Sequence, residues 1–335
     1  MGARNSRTEG GSLTDPEQTE MSGQITEILQ PDAAGLDRAA ALLREGALVA
    51  FPTETVYGLG ADAANEDAVA RIFEAKGRPS RNPLILHFAD VSAVRALTEW
   101  NDAAEALAEA FWPGPLTMVL PLRTGAPVSP RVTAGQATVA VRLPAAPIAR
   151  GLLDRVGRPV AAPSANRSGQ VSPVRAKHVV DGLGGRIDAV VDGGRCDMGL
   201  ESTIVGLAGH PVLLRPGGVT QDSLETVLGR ALGQRRDTDA ISAPGQLRSH
   251  YAPRARVRLN AAEWEPNEAR LGFGNVAADL NLSPTGNLDE AAANLFEYLI
   301  RLDSGDHPVI AVSPVPHRGV GVAINDRLSR AAAER

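Results

Sequence analysis

The residues able to do chemistry recur at one kind of place in this sequence. A short apolar run ends, and small hydroxyl, amide or basic side chains follow. Thr53, Thr55 and Tyr57 follow ALVAF, and Ser164, Asn166 and Ser168 follow PVAA. Glu201, Ser202 and Thr203 open the run before Gly206, while Arg142 closes ATVAV and Arg215 closes PVLLR. Ligands of open α/β sheets sit beside strand ends, and neutral donors together with arginines suit phosphate and carboxylate groups. Each cluster alone is equally what an ordinary turn contains. KGRPSRNP (76–83) adds Lys76, Arg78 and Arg81 on a stretch bent by Gly77, Pro79 and Pro83. It is either a clamp for a polyphosphate or a solvated charged loop. His87 interrupts the apolar run LILHF and, from its surroundings alone, is a core histidine.

Several chemistries lack their residues. There is no GxxxxGK[ST] loop, no HExxH or other metal-ligating set among the six histidines, and no GxSxG around Ser164 or Ser202. Gly58, Gly60 and Ala63 fit G-x-G-x-x-A, but PTETVY separates them from the preceding strand and no acidic residue follows at the ribose position. The one cysteine, Cys196, excludes an internal disulfide. With no histidine nearby in sequence, it reads as a buried or incidental thiol.

The elements that must position these residues alternate irregularly. Helical spacing covers 33–46, 66–76, 91–100, 102–112 and 221–232. Strand candidates are ALVAF, LILHF, LTMVLPL, ATVAVRL, PVAAPS, DAVVDGG, STIVGL and PVLLRPG. Several strands in succession between helices predict an α/β fold with a mixed sheet. ALVAF empties into a polar, glycine-bearing segment, PTETVYGLGAD. Polar, period-free sequence near 233–253, with Pro244, Gly245 and Pro253, is a linker or lid. Beyond it a weaker pattern of strands (RVRLN, RLGFG, PVIAVSPV) and helices (287–303, 324–334) predicts a second, small α/β domain.

Length and composition agree. The 335 residues suit about two domains, and 43% hydrophobic with 22% charged residues is an ordinary globular balance. The net charge of −5 gives no chain-wide basic coat for nucleic acid, and 6 Phe, 3 Trp and 3 Tyr are few for base stacking. No apolar run reaches the roughly 20 residues of a membrane span. Residues 1–22 are expected to be a disordered extension, and Met21 opens a more ordinary start. The lone cysteine suits a cytoplasmic location.

Taken in order, PTETVYGLG, KGRP…NPL…H, WPGPLT, TVAVRLP, APSAN, ESTIV and LLRPG resemble the Sua5/YrdC family of threonylcarbamoyl-adenylate synthases. PGQLRSHYAP resembles the interdomain linker of its two-domain Sua5 branch, with Gln246, Leu247, Arg248 and Ser249 where the family usually has MKYR. AINDRLSRAA resembles that branch's C-terminal end. The resemblance implies a twisted mixed sheet with a concave active-site face (23–235), a linker or lid (236–253) and a small Rossmann-like α/β domain (254–335). It implies formation of threonylcarbamoyl-AMP and pyrophosphate from L-threonine, bicarbonate or CO2, and ATP with Mg2+. A separate transferase would pass the product to tRNA, for N6-threonylcarbamoyladenosine beside the anticodon. By the same resemblance Thr55, His87, Arg142, Ala162 and Ser202 bind threonine. Lys76, Arg78, Asn82, Thr138, Ser164, Ser172 and Arg215 bind ATP, with Lys76 and Arg78 stabilising charge. His250 and Tyr251 are the linker's contacts. Two other readings stay open. A double-stranded or ribosomal RNA-binding module would use Lys76, Arg78, Arg81 and Arg215 on phosphates. Carbamoyl transfer or hydrolysis would proceed through a covalent Ser or Cys adduct.

Overall fold

The computed structural model describes Gly2 and residues 25–235, 243–246 and 249–334. Apart from Gly2, the expected N-terminal extension lies outside the described residues, as do 236–242, 247 and 248 of the linker. In chain order the first unit comprises β1 (Glu27–Leu29), α1 (Ala33–Arg44), β2 (Val49–Pro52), β3 (Tyr57–Asp62), α2 (Glu66–Lys76), β4 (Ile85–His87), α3 (Val91–Leu97), α4 (Asp102–Phe111) and β5 (Leu116–Pro121). It continues with α5 (Pro130–Thr133), β6 (Thr138–Arg142), α6 (Pro147–Val156), β7 (Val160–Ala161), α7 (Ala176–Leu183) and β8 (Ala189–Val191). It ends with β9 (Thr203–Gly206), β10 (Val212–Arg215), α8 (Gln221–Leu228) and β11 (Gly233–Gln234). The second unit has β12 (Arg256–Arg258), β13 (Glu268–Gly272), β14 (Leu280–Asn281), α9 (Leu288–Asp303), β15 (Val309–Val312) and α10 (Gly321–Ala332).

The first sheet has eleven strands in the order β1-β8-β2-β3-β7-β4-β6-β5-β9-β10-β11. It is mixed, as expected: β4 runs parallel to β6, for instance, while β5 and β6 are antiparallel. The polar, glycine-bearing segment after ALVAF, absent from the strand candidates, is mostly strand. Tyr57–Asp62 is buried throughout and pairs antiparallel with β2, so only Thr53–Val56 remain as the turn. Its glycines are there for packing. A Cβ at Gly60 would lie 2.9 Å from the Phe51 ring and 3.0 Å from Val160.

Strand alternation sorts side chains between two faces. Leu86, Val139, Val141 and Val205 join the large core under α2, α4 and α7. Val49, Phe51, Val160 and Ala162 point the other way, under α1 and α6. On that second face Ile85, Val119, Ala140 and Ile204 form a separate patch whose further buried member is Ala243 of the linker. One half of this face is therefore roofed by helices and the other half by the linker.

The second sheet is wholly parallel, in the order β12-β15-β13-β14, against α9 and α10. It is an α/β unit, but its order differs from the 3-2-1-4 of a mononucleotide-binding half. Among the described residues no helix is long and apolar enough to cross a membrane.

Candidate functional site

The same parity places the site. His87 follows Ile85 by two residues, Arg142 follows Ala140, and Ser202 precedes Ile204, so all three share the face half-covered by the linker. Parallel pairing of β4 with β6 puts His87 directly opposite Arg142 at the strand ends. At the turn between β2 and β3, Thr53 Oγ1 donates to the Val56 carbonyl (2.8 Å) and lies 2.7 Å from Thr55 Oγ1. This holds Thr55 and Glu54 toward Arg142. The Arg142 guanidinium donates to Thr55 Oγ1 (2.9 Å), Glu54 Oε1 (2.7 Å) and the Gly114 carbonyl (3.2 Å).

Lys76 and Arg78 reach the site because of how α2 ends. Gly77 is left-handed (φ 59), the Gly77 amide donates to Glu74 O, and the Arg78 amide donates to Phe73 O. This is a Schellman stop, and it turns the chain so that both cations point inward. Lys76 Nζ donates to the Ser164 and Asn166 carbonyls. Arg78 donates to the Asn82 and Pro83 carbonyls at 3.3 and 2.9 Å. Arg215 donates to Ser202 O and Oγ, both at 3.1 Å, and to the Pro244 carbonyl at 3.4 Å. The charged-loop reading of 76–83 thus fails for Lys76 and Arg78, which are 3% and 8% exposed; Arg81 alone is solvated. The same burial removes the face proposed for RNA, because Arg215 is also buried.

These groups surround a cavity of about 40 Å³ lined by Thr55, Arg78, His87, Arg142, Ala162, Ser164, Ser202 and Arg215, among others. Pro244, Gly245, His250 and Tyr251 of the linker close it. Of the remaining residues expected at the site, Lys76 lies just behind Ser164, and Asn82 behind Arg78. Ser172 donates to Glu201 in the wall. Thr138 stands apart, four residues from Arg142 at the other end of β6, or about 13 Å of strand. Sequence reasoning also missed the role of Glu54, whose signal was an acid between two hydroxyls after a buried strand.

Burial shapes the ionisation. It is the main cause holding Lys76 well below the ordinary lysine range, with Arg78 adding to it. Burial likewise brings Arg78 to about 10 and His87 to about 3, the latter helped by Arg142. His250 is held well below its ordinary value by burial and then by Arg78 and Lys76. Both histidines are therefore neutral. For Glu54, burial pushes upward but Arg142 outweighs it, so the carboxylate stays ionised. Cys196 is pushed up to about 12 by burial, an inert thiol as expected. Asn82 Nδ2 and Oδ1 and His250 Nδ1 are buried without a hydrogen-bond partner. No group of three or more His, Cys, Asp or Glu among the described residues could hold a metal. The two carboxylates beside the cavity, Glu54 and Glu201, are each paired with an arginine.

Comparison with known proteins gives a consistent answer. Residues 41–217 match the family model Sua5_yciO_yrdC, described as "Telomere recombination". Residues 219–333 match Sua5_C, described as "Threonylcarbamoyl-AMP synthase, C-terminal domain". The chain is 43% identical to the threonylcarbamoyl-AMP synthase of Bacillus subtilis (93% of this chain, 96% of the relative). It is also 43% identical to that of Pyrococcus abyssi (89% and 94%). The crystal structure of P. abyssi Sua5 complexed with L-threonine superposes with a TM-score of 0.85 at 40% identity, over 92% of this chain and 97% of that one. Escherichia coli YciO, 24% identical and covering 57% of this chain, shares the fold of the first unit (TM-score 0.51). The chain belongs to the Sua5/YciO/YrdC family, in the two-domain branch that carries the Sua5 C-terminal domain.

Proposed function

We propose that this protein is a threonylcarbamoyl-AMP synthase, which joins L-threonine, CO2 or bicarbonate, and MgATP into threonylcarbamoyl-AMP and pyrophosphate. A separate transferase would then carry the group to tRNA. The observation that carries the reading is buried positive charge. Lys76, Arg78 and Arg215 lie within one cavity wall, and among the described residues their hydrogen-bond acceptors are carbonyl and hydroxyl oxygens, never a carboxylate. Among the described residues only Arg215 of the three has a carboxylate, Glu201, close enough to act on its charge; buried charge short of counter-ions is costly, and a triphosphate would supply them. The unpartnered Asn82 amide, beside Arg78, offers a further donor and acceptor for the nucleotide.

Threonine is assigned to the neighbouring end of the site. Arg142 can hold its carboxylate with two parallel hydrogen bonds, but its guanidinium now engages Glu54 and Thr55. Substrate must share or displace Glu54, so that carboxylate tunes threonine affinity. Thr55, Ala162 and Ser202 shape the pocket, and neutral His87 can hydrogen-bond without competing for the carboxylate. The ammonium of threonine gives up one proton to solvent, the free amine adds to CO2, and a second proton leaves to solvent as the carbamate anion forms. A carbamate oxygen then attacks the α-phosphorus, and pyrophosphate leaves as its bond to that phosphorus breaks. Holding the reactants in line can lower the barrier by as much as about 7–11 kcal/mol, while Lys76 and Arg78 stabilise the growing phosphate charge. Magnesium arrives as part of the substrate, held by phosphates and water; the paired Glu54 and Glu201 leave no resident site for it.

The linker serves as the lid. With Pro244, Gly245, His250 and Tyr251 in place, about 40 Å³ remains. That is room for a few water molecules, far less than a nucleotide needs. The linker must therefore withdraw for ATP to enter. Its return excludes water from a carbamate that water would destroy. The covalent Ser or Cys reading lacks support, since Ser202 Oγ contacts Thr117 and Arg215 rather than a base, and Cys196 is protonated.

The test is pyrophosphate release from ATP, magnesium and bicarbonate, with and without L-threonine. Threonine-dependent release that is lost in Arg78→Ala and Arg142→Ala is the expected result. Release indifferent to threonine would overturn the substrate assignment. RNA binding with a steep salt dependence and no turnover would favour the RNA module instead.

A further inference from the structure

The largest fully buried side chain in the protein is a charged one far from the cavity in sequence. Arg327 lies on α10 at 0% exposure, sharing a face with Ile324, Leu328 and Ala331, also buried. A guanidinium on the apolar face of a helix needs partners, and Arg327 finds two of its three in the other domain. Its Nε donates to Glu201 Oε2 at 2.8 Å, its Nη2 to the Pro216 carbonyl at 3.0 Å, and its Nη1 to Asp326 Oδ2 at 2.6 Å. Its guanidinium carbon also stands 5.2 Å from the centre of the Tyr251 ring, within range of a cation–π contact.

Glu201 and Tyr251 both line the cavity, one from the floor and one from the linker. The remaining valences of Glu201 point toward the site: it accepts from Ser172, and Arg215 lies close enough to bias its charge. Burial pushes the Glu201 carboxyl toward neutrality, and Arg327 and Arg215 together overcome that. Tyr251 is held on several sides. Its ring stacks on Phe296 of α9 (5.6 Å, 27°) and lies close enough to Arg215 to act on its charge. The preceding amide, His250, donates to Arg330 O of α10, and the following one, Ala252, to Gly169 O. Tyr251 also has φ 61. A bulky side chain in that region is strained and persists only where its surroundings over-determine it.

We propose that Arg327 is a positioning residue for the active site: from the C-terminal domain it fixes the Glu201 carboxylate and the Tyr251 ring together, and so sets how firmly the linker closes. The inference rests on the linker serving as the lid. It gives the C-terminal domain a task in the reaction, because the closed linker is seated on α9 and α10 as well as on the catalytic sheet. Docking of that domain does not depend on Arg327. Arg175 pairs with Glu297 at 2.8 Å, and Arg195 donates to Ala293 O and Asn294 Oδ1, both at 2.7 Å.

The experiment uses the full chain in three forms besides wild type: Arg327→Met, Arg327→Lys, and the double variant Arg327→Met/Glu201→Gln. The double variant leaves no buried carboxylate without its arginine, which removes the main cost of the single variant, and the folding of each form is checked by circular dichroism before exchange is read. Hydrogen exchange is followed without ligand, and threonine-dependent pyrophosphate release is titrated with ATP. The His250 and Ala252 amides are expected to exchange at least tenfold faster in both Met variants, with α9 and β15 within about twofold of wild type. The kcat should fall at least tenfold while the KM for ATP does not rise, because the contact being lost belongs to the closed empty state that excludes ATP. Arg327→Lys, which keeps a cation over the ring, should recover part of the protection. Unchanged exchange at 250–252, acceleration shared equally by α9 and β15, or a wild-type kcat in the Met variants would each overturn the proposal. A wild-type protein without threonine-dependent release would sink the functional reading instead, and the exchange results would still decide on Arg327.

Discussion

His87 offers a quantitative test of how dry the proposed threonine end of the site is. Its imidazole is 3% exposed, packs edge-on against Phe51 with ring centres 6.3 Å apart, and sits opposite Arg142. Burial first, and the Arg142 charge second, hold its pKa at about 3, against 6.5 for a free side chain. The unfolded chain therefore binds a proton at His87 below about pH 6.5 that the folded chain refuses until about pH 3. The stability contributed by keeping this ring neutral is complete above 6.5 and lost as the pH falls through that window. Between pH 7 and pH 5 the unfolded imidazole goes from about a quarter to nearly fully protonated, which costs the folded state about 2 kcal/mol. His178 and His250 are also depressed by burial, but they cancel when wild type is compared with His87→Leu. Urea unfolding followed by the fluorescence of Trp100 and Trp112, on the catalytic unit, should show wild type losing about 2 kcal/mol more than the variant between these pH values. Equal losses, or an imidazole that titrates near 6.5 in the folded chain, would refute the reasoning.

Four further outcomes are expected. Arg142→Lys keeps the charge but loses the planar fork, so the threonine KM should rise roughly 10–100-fold, the equivalent of about 1.5–3 kcal/mol, measured by threonine-dependent pyrophosphate release. Deleting 244–253 should impair adenylate formation, and unchanged kcat and KM would remove the lid. Gly60→Ala drives a methyl into Phe51 and Val160 and should destabilise the fold by about 1–3 kcal/mol in urea titrations. Cys196, buried and protonated, should resist thiol reagents in the native protein and label readily in denaturant, and Cys196→Ala should keep its activity.

What the sequence made legible follows the physics of each feature. Helices with spaced apolar residues and a glycine stop, such as α1 and α2, were visible because local signals determine them. The parallel and antiparallel pairing that brings His87 opposite Arg142 was not, since register is a long-range property. β3 was missed because its glycines look like a turn from the sequence, while their real reason, the close approach of Phe51 and Val160, exists only in three dimensions. The helices α6 and α7 went unnoticed as well. α6 opens on Pro147 directly after the loop that closes β6, and α7 has no side-chain cap. The hydroxyl and arginine clusters were correctly located at strand ends, yet nothing local distinguished Lys76 and Arg78 from a solvated loop. The inward turn at Gly77 decides that, and it needs the Ser164 carbonyl from β7's far side as a partner. His87 shows the limit from the other direction: both the core reading and the ligand reading describe it, because it is a buried residue on the cavity wall.

The arrangement also gives the second domain a task under the proposed function. A carbamate survives only in a dry site, and a dry site that must admit ATP needs a cover that comes off. A cover tied down only by the catalytic sheet would rest on the very cations that substrate must reach: Arg215 holds the Pro244 carbonyl, and its displacement by phosphate would free the linker before closure is useful. Seating Tyr251 on Phe296 and Arg327 provides a second anchor that phosphate does not compete for. On the proposed lid, the linker gives way at Arg215 when nucleotide enters and still finds its closed position from the side of α9 and α10. Threonylcarbamoyl-AMP would be retained for as long as that second anchor holds, so the anchor's strength sets the balance between protecting the product and releasing it.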